Sequence, residues 1–171
     1  MTGGSLPGVD LLDGLRASFD LGFAEPAASA AAAVEELLAI RVAGRPYAVR
    51  LPDISALVVD RPVVALPTGL RSLLGVAGLR GALVAVHDLR TLLGLAAAAP
   101  PRWMIVTAGD PLALAFDGFE RHLRLPAGTV ATSGAVQLIP GDEPRPVLDL
   151  AAIRAGIERH VRATAPQETP P

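Results

Sequence analysis

Cysteine is absent from the 171-residue chain. That excludes a disulfide framework, a thiolate metal site and a cysteine nucleophile. Lysine is absent as well, so all 15 basic residues are arginine. Aromatic residues make up only 4% and charged residues 19%. With 17 acids the net charge is −2, which lacks the basic excess of a nucleic-acid binder. No apolar stretch reaches the ~20 residues that span a bilayer. The best candidate, Leu73 to Val86, is interrupted by Arg80, so direct membrane insertion is not expected. The segment Met1 to Pro7 has no basic stretch followed by an apolar one, and the protein is expected in the cytoplasm.

What is present is aliphatic. Hydrophobic residues reach 51%, too many for a chain disordered throughout. The length suits one domain, or two small subdomains around a shared core. Residues 1–36 differ from the rest. Leu11, Leu12, Leu15 and Phe19 fall at helical spacing with Phe23 just beyond, and an alanine run follows Pro26. This predicts a mobile arm with one short helix. The alternative is a docking peptide anchored by Leu15, Phe19 and Phe23.

From Leu37 the pattern changes to short strands separated by turns. Leu37 to Val42 and Tyr47 to Leu51 flank a turn at Gly44-Arg45-Pro46. Asp53 is a candidate N-cap for a helix over Ile54 to Val58. Leu73 to Leu79 and Leu83 to Val86 read as strands around Arg80-Gly81. Asp88 can cap a short helix from Leu89 that Gly94 closes. Further strands are expected at Arg102–Thr107, Leu112–Phe116, Phe119–Leu125, Gly134–Ile139 and Arg145–Leu148, and a helix from Leu150 to Val161 capped by Asp149. Many short strands with regular turns argue for barrels or a sandwich. The predicted organisation is an arm at 1–36, a domain at 37–162 and a frayed tail at 163–171. The domain divides into subdomains of roughly 37–95 and 100–150 plus the last helix.

Catalytic apparatus is not visible. Gly75, Gly78 and Gly81 form a GxxGxxG series, not the dinucleotide fingerprint. There is no P-loop and no serine elbow. His87, His122 and His160 have no metal-ligand spacing. His87-Asp88 is the sole adjacent His–carboxylate pair, and an Asp capping a helix accounts for it. No enzyme activity, cofactor or metal is expected. A binding module fits better.

The stretch Leu73-Leu-Gly-Val-Ala-Gly-Leu-Arg-Gly-Ala-Leu-Val-Ala-Val-His-Asp-Leu-Arg-Thr-Leu-Leu-Gly-Leu95 strongly resembles the CheW-like family. That family carries a strand, an LRG turn, a second strand, then DLR and a short Leu-rich helix ending in LG. Leu38-Ala-Ile-Arg-Val-Ala-Gly, Tyr47-Ala-Val, Ile54-Ser-Ala-Leu-Val (resembling the family's following helix), Val64-Ala-Leu-Pro67, Leu112 to Pro126 and Val147-Leu-Asp-Leu are also similar. The resemblance covers roughly residues 37–160. It implies a mainly β fold with short helices, built as two small five-stranded β-barrels packed around a hydrophobic seam. It implies an adaptor that couples chemoreceptor signalling tips to the regulatory domain of a CheA-type histidine kinase, at membrane-associated arrays. Carried over by position, the partner-binding residues are Ile54, Ala56, Gly75, Arg80 and Gly81. Gly78 stands where the family usually has Asn, and Ala85 where proline is common.

Rival readings belong to other classes. One is a divergent member that has lost one partner and modulates or localises arrays, or another protein, through its arm. Others are a regulatory domain detached from its kinase, or a small-molecule barrel. The last is disfavoured by few aromatics and no convergent polar cluster.

Overall fold

The computed structural model describes residues 33–96, 99–109, 111–133 and 136–164. The expected arm helix with Leu15, Phe19 and Phe23, and the tail beyond residue 164, lie outside these. Strand β1 begins at Val34, inside the segment that the sequence pattern gave to the arm.

The chain builds two sheets. The first orders its strands β8 (Gly118–Pro126), β1 (Val34–Val42), β2 (Arg45–Arg50), β11 (Arg145–Leu148), β10 (Val136–Ile139) and β9 (Ala131–Ser133). The second orders them β3 (Ile54–Val59), β6 (Trp103–Thr107), β7 (Ala113–Phe116), β5 (Ala82–Asp88) and β4 (Leu73–Leu79). Helix α1 spans Leu89–Leu92 and α2 spans Leu150–Thr164. Mainly β architecture with two subdomains is thus as expected. The sheets are not closed five-stranded barrels, and they do not divide the chain at 95–100. The second sheet is one continuous piece, β3 to β7, inserted between β2 and β8 of the first. The cause is the pairing of β1 with both β2 and β8. That makes β1 an interior strand, and Leu37 to Ile40 are all buried, the pattern of a strand covered on both faces.

The helix expected over Ile54–Val58 is absent. A single 3-10 turn, Leu51–Asp53, with Pro52 in its first positions, leads directly into β3. Ile54, Val58 and Val59 are β-branched and favour extended backbone, while an isolated helix this short is unstable. The strand packs Ile54 and Leu57 on one cluster and Val58 on another. The other two caps are as expected. Asp88 accepts from Arg90 N at 2.9 Å and Asp149 from Ala152 N at 2.9 Å. Two turns share one geometry. Ala43-Gly44 has φ of 51° and 73°, and Arg80-Gly81 has 49° and 81°. Positive φ at both central residues of a two-residue hairpin matches the right-handed twist of the strands. The first turn therefore sits one residue before the expected Gly44-Arg45-Pro46, and Arg45 and Pro46 belong to β2.

Apolar burial has three centres. A seam cluster takes Leu38, Ile40 and Val42 from β1, Ile105, Leu114 and Phe116 from the second sheet, Leu89 from α1, and Leu150 and Ile157 from α2. A cluster within the second sheet centres on Val84, Val86 and Met104, and one within the first on Leu37, Ala48, Ile139 and Val147.

A buried ion cluster lies between the sheets. The Arg90 side chain is 3% exposed and that of Asp88 7%. Arg90 Nε and Nη2 each donate to one Asp88 carboxylate oxygen at 2.9 Å. Arg90 Nη1 donates to Asp117 Oδ1 at 3.0 Å and to the Ala99 carbonyl. Asp117 Oδ2 accepts from the backbone N–H of Ala43. Asp88 ends β5, Asp117 is the step from β7 to β8, and Ala43 turns β1 into β2. One guanidinium thus joins both sheets. Hydrogen bonding to Asp88 raises the Arg90 pKa further above its ordinary value.

Replacing Arg90 with Met should cost about 3–5 kcal/mol, because two carboxylates lose the partner that balances their burial; urea unfolding measures it. A change within 1 kcal/mol or so, ordinary for a surface site, would remove this cluster from the account. His87 is 3% exposed, with Nδ1 3.1 Å from Ser72 Oγ. Burial lowers its pKa below 6.5. Below that pH the unfolded chain takes up a proton that the folded chain resists, so stability falls on acidification and is flat above neutrality. His87→Asn should flatten that acidic slope in unfolding curves.

Candidate functional site

The sequence-predicted residues fall on the second sheet. Its register runs Ala56–Val106–Ala113–Val86–Gly75 from one edge strand to the other. Ile54 and the Arg80 turn therefore lie toward the same end of the sheet, but on opposite edge strands. Curling partly closes that separation. The chain leaving β3 reaches the free side of β4, where Val64 N donates to Val76 O at 2.8 Å and Val76 N to Val64 O at 2.9 Å. Arg61 Nε donates to Gly78 O at 3.1 Å along the same edge.

Gly75 is what permits this closure. A Cβ there would stand 2.0 Å from the Val64 carbonyl oxygen, and its φ is 144°. Gly75 is buried and acts through its backbone. Gly81 supplies the second positive φ of the β4–β5 turn. Arg80 occupies the first such position at φ 49°, unusual for a long side chain. Arg80 is exposed, and its guanidinium has no ion pair or hydrogen bond among the described residues. Ile54 is half-buried against the seam cluster, and Ala56 is half-buried on the same strand. The structure thus brings Gly75, Arg80 and Gly81 together on one hairpin and leaves Ile54 and Ala56 across the sheet.

Sequence reading missed the outer face of that hairpin. Gly75, Ala77, Val84 and Val86 are buried, so the alternate residues point outward. These are Val76 opposite Ala85 and Gly78 opposite Leu83. Leu83 is 78% exposed and neighbouring Val64 65%. The face is apolar, and Arg61 and Arg80 stand at its rim. An uncharged centre with a polar rim is the anatomy of a protein-docking surface. Residues Ala82 to Val86 are apolar throughout, so only the burial along β5 reveals which of them face outward.

Several charged groups elsewhere are paired with one another. Arg41 forks onto Glu143 at 2.7 Å for both bonds and also holds Glu120. Burial would push the Glu120 carboxyl up, but Arg41 and Arg145 together hold it below its ordinary value. Arg102 forks onto Asp60 at 2.8 and 2.6 Å and lowers its pKa. Among the described residues no group of three His, Asp or Glu side chains is placed to hold a metal. No described helix is long and apolar enough to cross a membrane.

A family model described as CheW-like domain matches residues 36–154. No curated protein matches the chain. Among solved structures, the scaffolding protein TtCheW from Thermoanaerobacter tengcongensis is similar, with a TM-score of 0.62 and 16% identity over 68% of this chain and 90% of that one. A likeness at this identity carries the fold.

Two substitutions separate structure from surface. Gly75→Ala should destabilise by on the order of 3 kcal/mol, since backbone atoms must move. Arg80→Asn should leave the melting temperature unchanged or raise it, because Asn tolerates positive φ. Thermal melts by circular dichroism check both. A large loss of stability in Arg80→Asn would make this arginine a structural residue.

Proposed function

The chain belongs to the CheW-like domain family, and on that premise we propose that it is a chemotaxis-type coupling adaptor joining chemoreceptors to a CheA-type histidine kinase. The mechanism is docking, without chemistry of its own. The observation that carries the reading is the LRG hairpin. It presents Arg80, whose guanidinium has no partner among the described residues, beside the apolar face of Val64, Val76 and Leu83. A guanidinium held at a turn is suited to capping a carbonyl or carboxylate on a partner. In this reading the receptor signalling tip meets the end of the sheet bearing Arg80, with Ile54 and Ala56 toward the other side. Gly75 and Gly81 set the backbone there, and the kinase regulatory domain covers exposed apolar sheet surface. Each contact is modest and reversible, and the array gains strength by multivalency. The working place is then the cytoplasmic side of membrane-associated receptor arrays.

The test is co-sedimentation of the protein with receptor fragments and kinase, using Arg80→Asp and Leu83→Asp. Both positions are exposed, so each variant should fold with a loss of about 1 kcal/mol or less. A charge left buried and unpaired in the interface should weaken binding by about 2–5 kcal/mol. Normal co-sedimentation by both folded variants would place the contact surface elsewhere. Capture of kinase without receptor, or the reverse, would favour a family member that has kept one partner.

A further inference from the structure

A second surface lies at the other end of β5 from Arg80 and does not rest on the adaptor reading. It is a groove of about 730 Å³ between α2, α1 and the loop at residues 69–72. Leu70, Leu92, Ile153 and Ile157 give it an apolar floor. Arg71, His87 and His160 line it and no carboxylate does; of the three, Arg71 is an exposed permanent cation. Ser72 and His87 are engaged with each other, so the floor offers little to a small polar ligand. The wall formed by α2 runs from Ala152 to Val161, a length of ~14 Å at 1.5 Å per residue. That accommodates an apolar stripe of between two and three helical turns.

Gly156 sits in the middle of this wall. Glycine in a helix interior costs ~1 kcal/mol relative to alanine. Nothing in the fold demands it here. A Cβ would meet only the tip of Arg159, at 3.9 Å. The missing side chain widens the groove midway along α2 and lets another backbone approach. We infer that this groove receives an amphipathic helix of a partner protein, with its apolar stripe on the floor and Asp or Glu flanking that stripe toward Arg71.

Fluorescence anisotropy on the full chain tests this. The probes are a helical peptide of about 18 residues with leucines at i, i+3, i+4 and i+7 and glutamates on the flanks, and its lysine counterpart. The glutamate peptide should bind roughly tenfold tighter than the lysine one. Gly156→Leu should weaken the glutamate peptide by about tenfold without lowering the melting temperature, since leucine favours the helix. Arg71→Glu should shift preference toward the lysine peptide. Equal binding of both peptides, or unchanged binding to Gly156→Leu, overturns the proposal. Binding seen only in a Phe19→Asp/Phe23→Asp variant assigns the groove to this chain's own residues and also overturns it. So does a dimer that Gly156→Leu dissociates, which assigns the groove to a second copy.

Discussion

A guanidinium taken out of water must be matched on every side, and at Arg90 that requirement ties distant parts of the chain together. Asp88 takes two of its donors from the neighbouring turn, while Asp117 and the Ala99 carbonyl take the third nitrogen from elsewhere. Asp117 in turn holds the Ala43 amide. The cluster therefore has to form as a set, since each buried charge is tolerable only with its partner in place. Around it, the seam cluster draws side chains from both sheets and both helices. Apolar burial supplies the driving force, and the ion cluster restricts how the sheets meet.

That restriction leaves the second sheet free to display its far hairpin. The seam and the inner cluster bury one face of β4 and β5. The Val64 bridge, made possible by Gly75, fixes their edge. The outer face needs no polar cover for folding, and it carries Val76, Gly78, Leu83 and Ala85. A monomer that keeps such a face uncharged tolerates some risk of self-association. The proposed docking role would account for that, with the arginine at the turn adding direction to an otherwise featureless surface.

Much of the secondary structure was legible because it is local. Alternation marked the strands, Gly81 and Gly44 marked the turns, and Asp88 and Asp149 marked the helix starts. Asp53 misled because a capping residue before an apolar run reads the same whether a helix or a strand follows. The nested topology was hidden because it depends on β1 pairing with β8, some eighty residues on. Arg90 was overlooked as a binding partner for the same reason: its burial is set by Asp117, far along the chain. Strand β9 is short and wholly exposed, so no apolar pattern announced it. Of the candidate site, Gly75, Arg80 and Gly81 were named through the LRG resemblance. The apolar face beside them and the groove along α2 required the register.

Coupling, as distinct from mere binding, is tested most directly by kinase output. Receptor fragments in membranes, a CheA-type kinase and ATP would be combined with and without this protein, and phosphoryl transfer to the kinase histidine followed over time. Autophosphorylation should become receptor-dependent only when the protein is present, and Arg80→Asp, folded to the same extent, should abolish the effect. Receptor control of the kinase that is unchanged by adding or withholding the protein would contradict a coupling role.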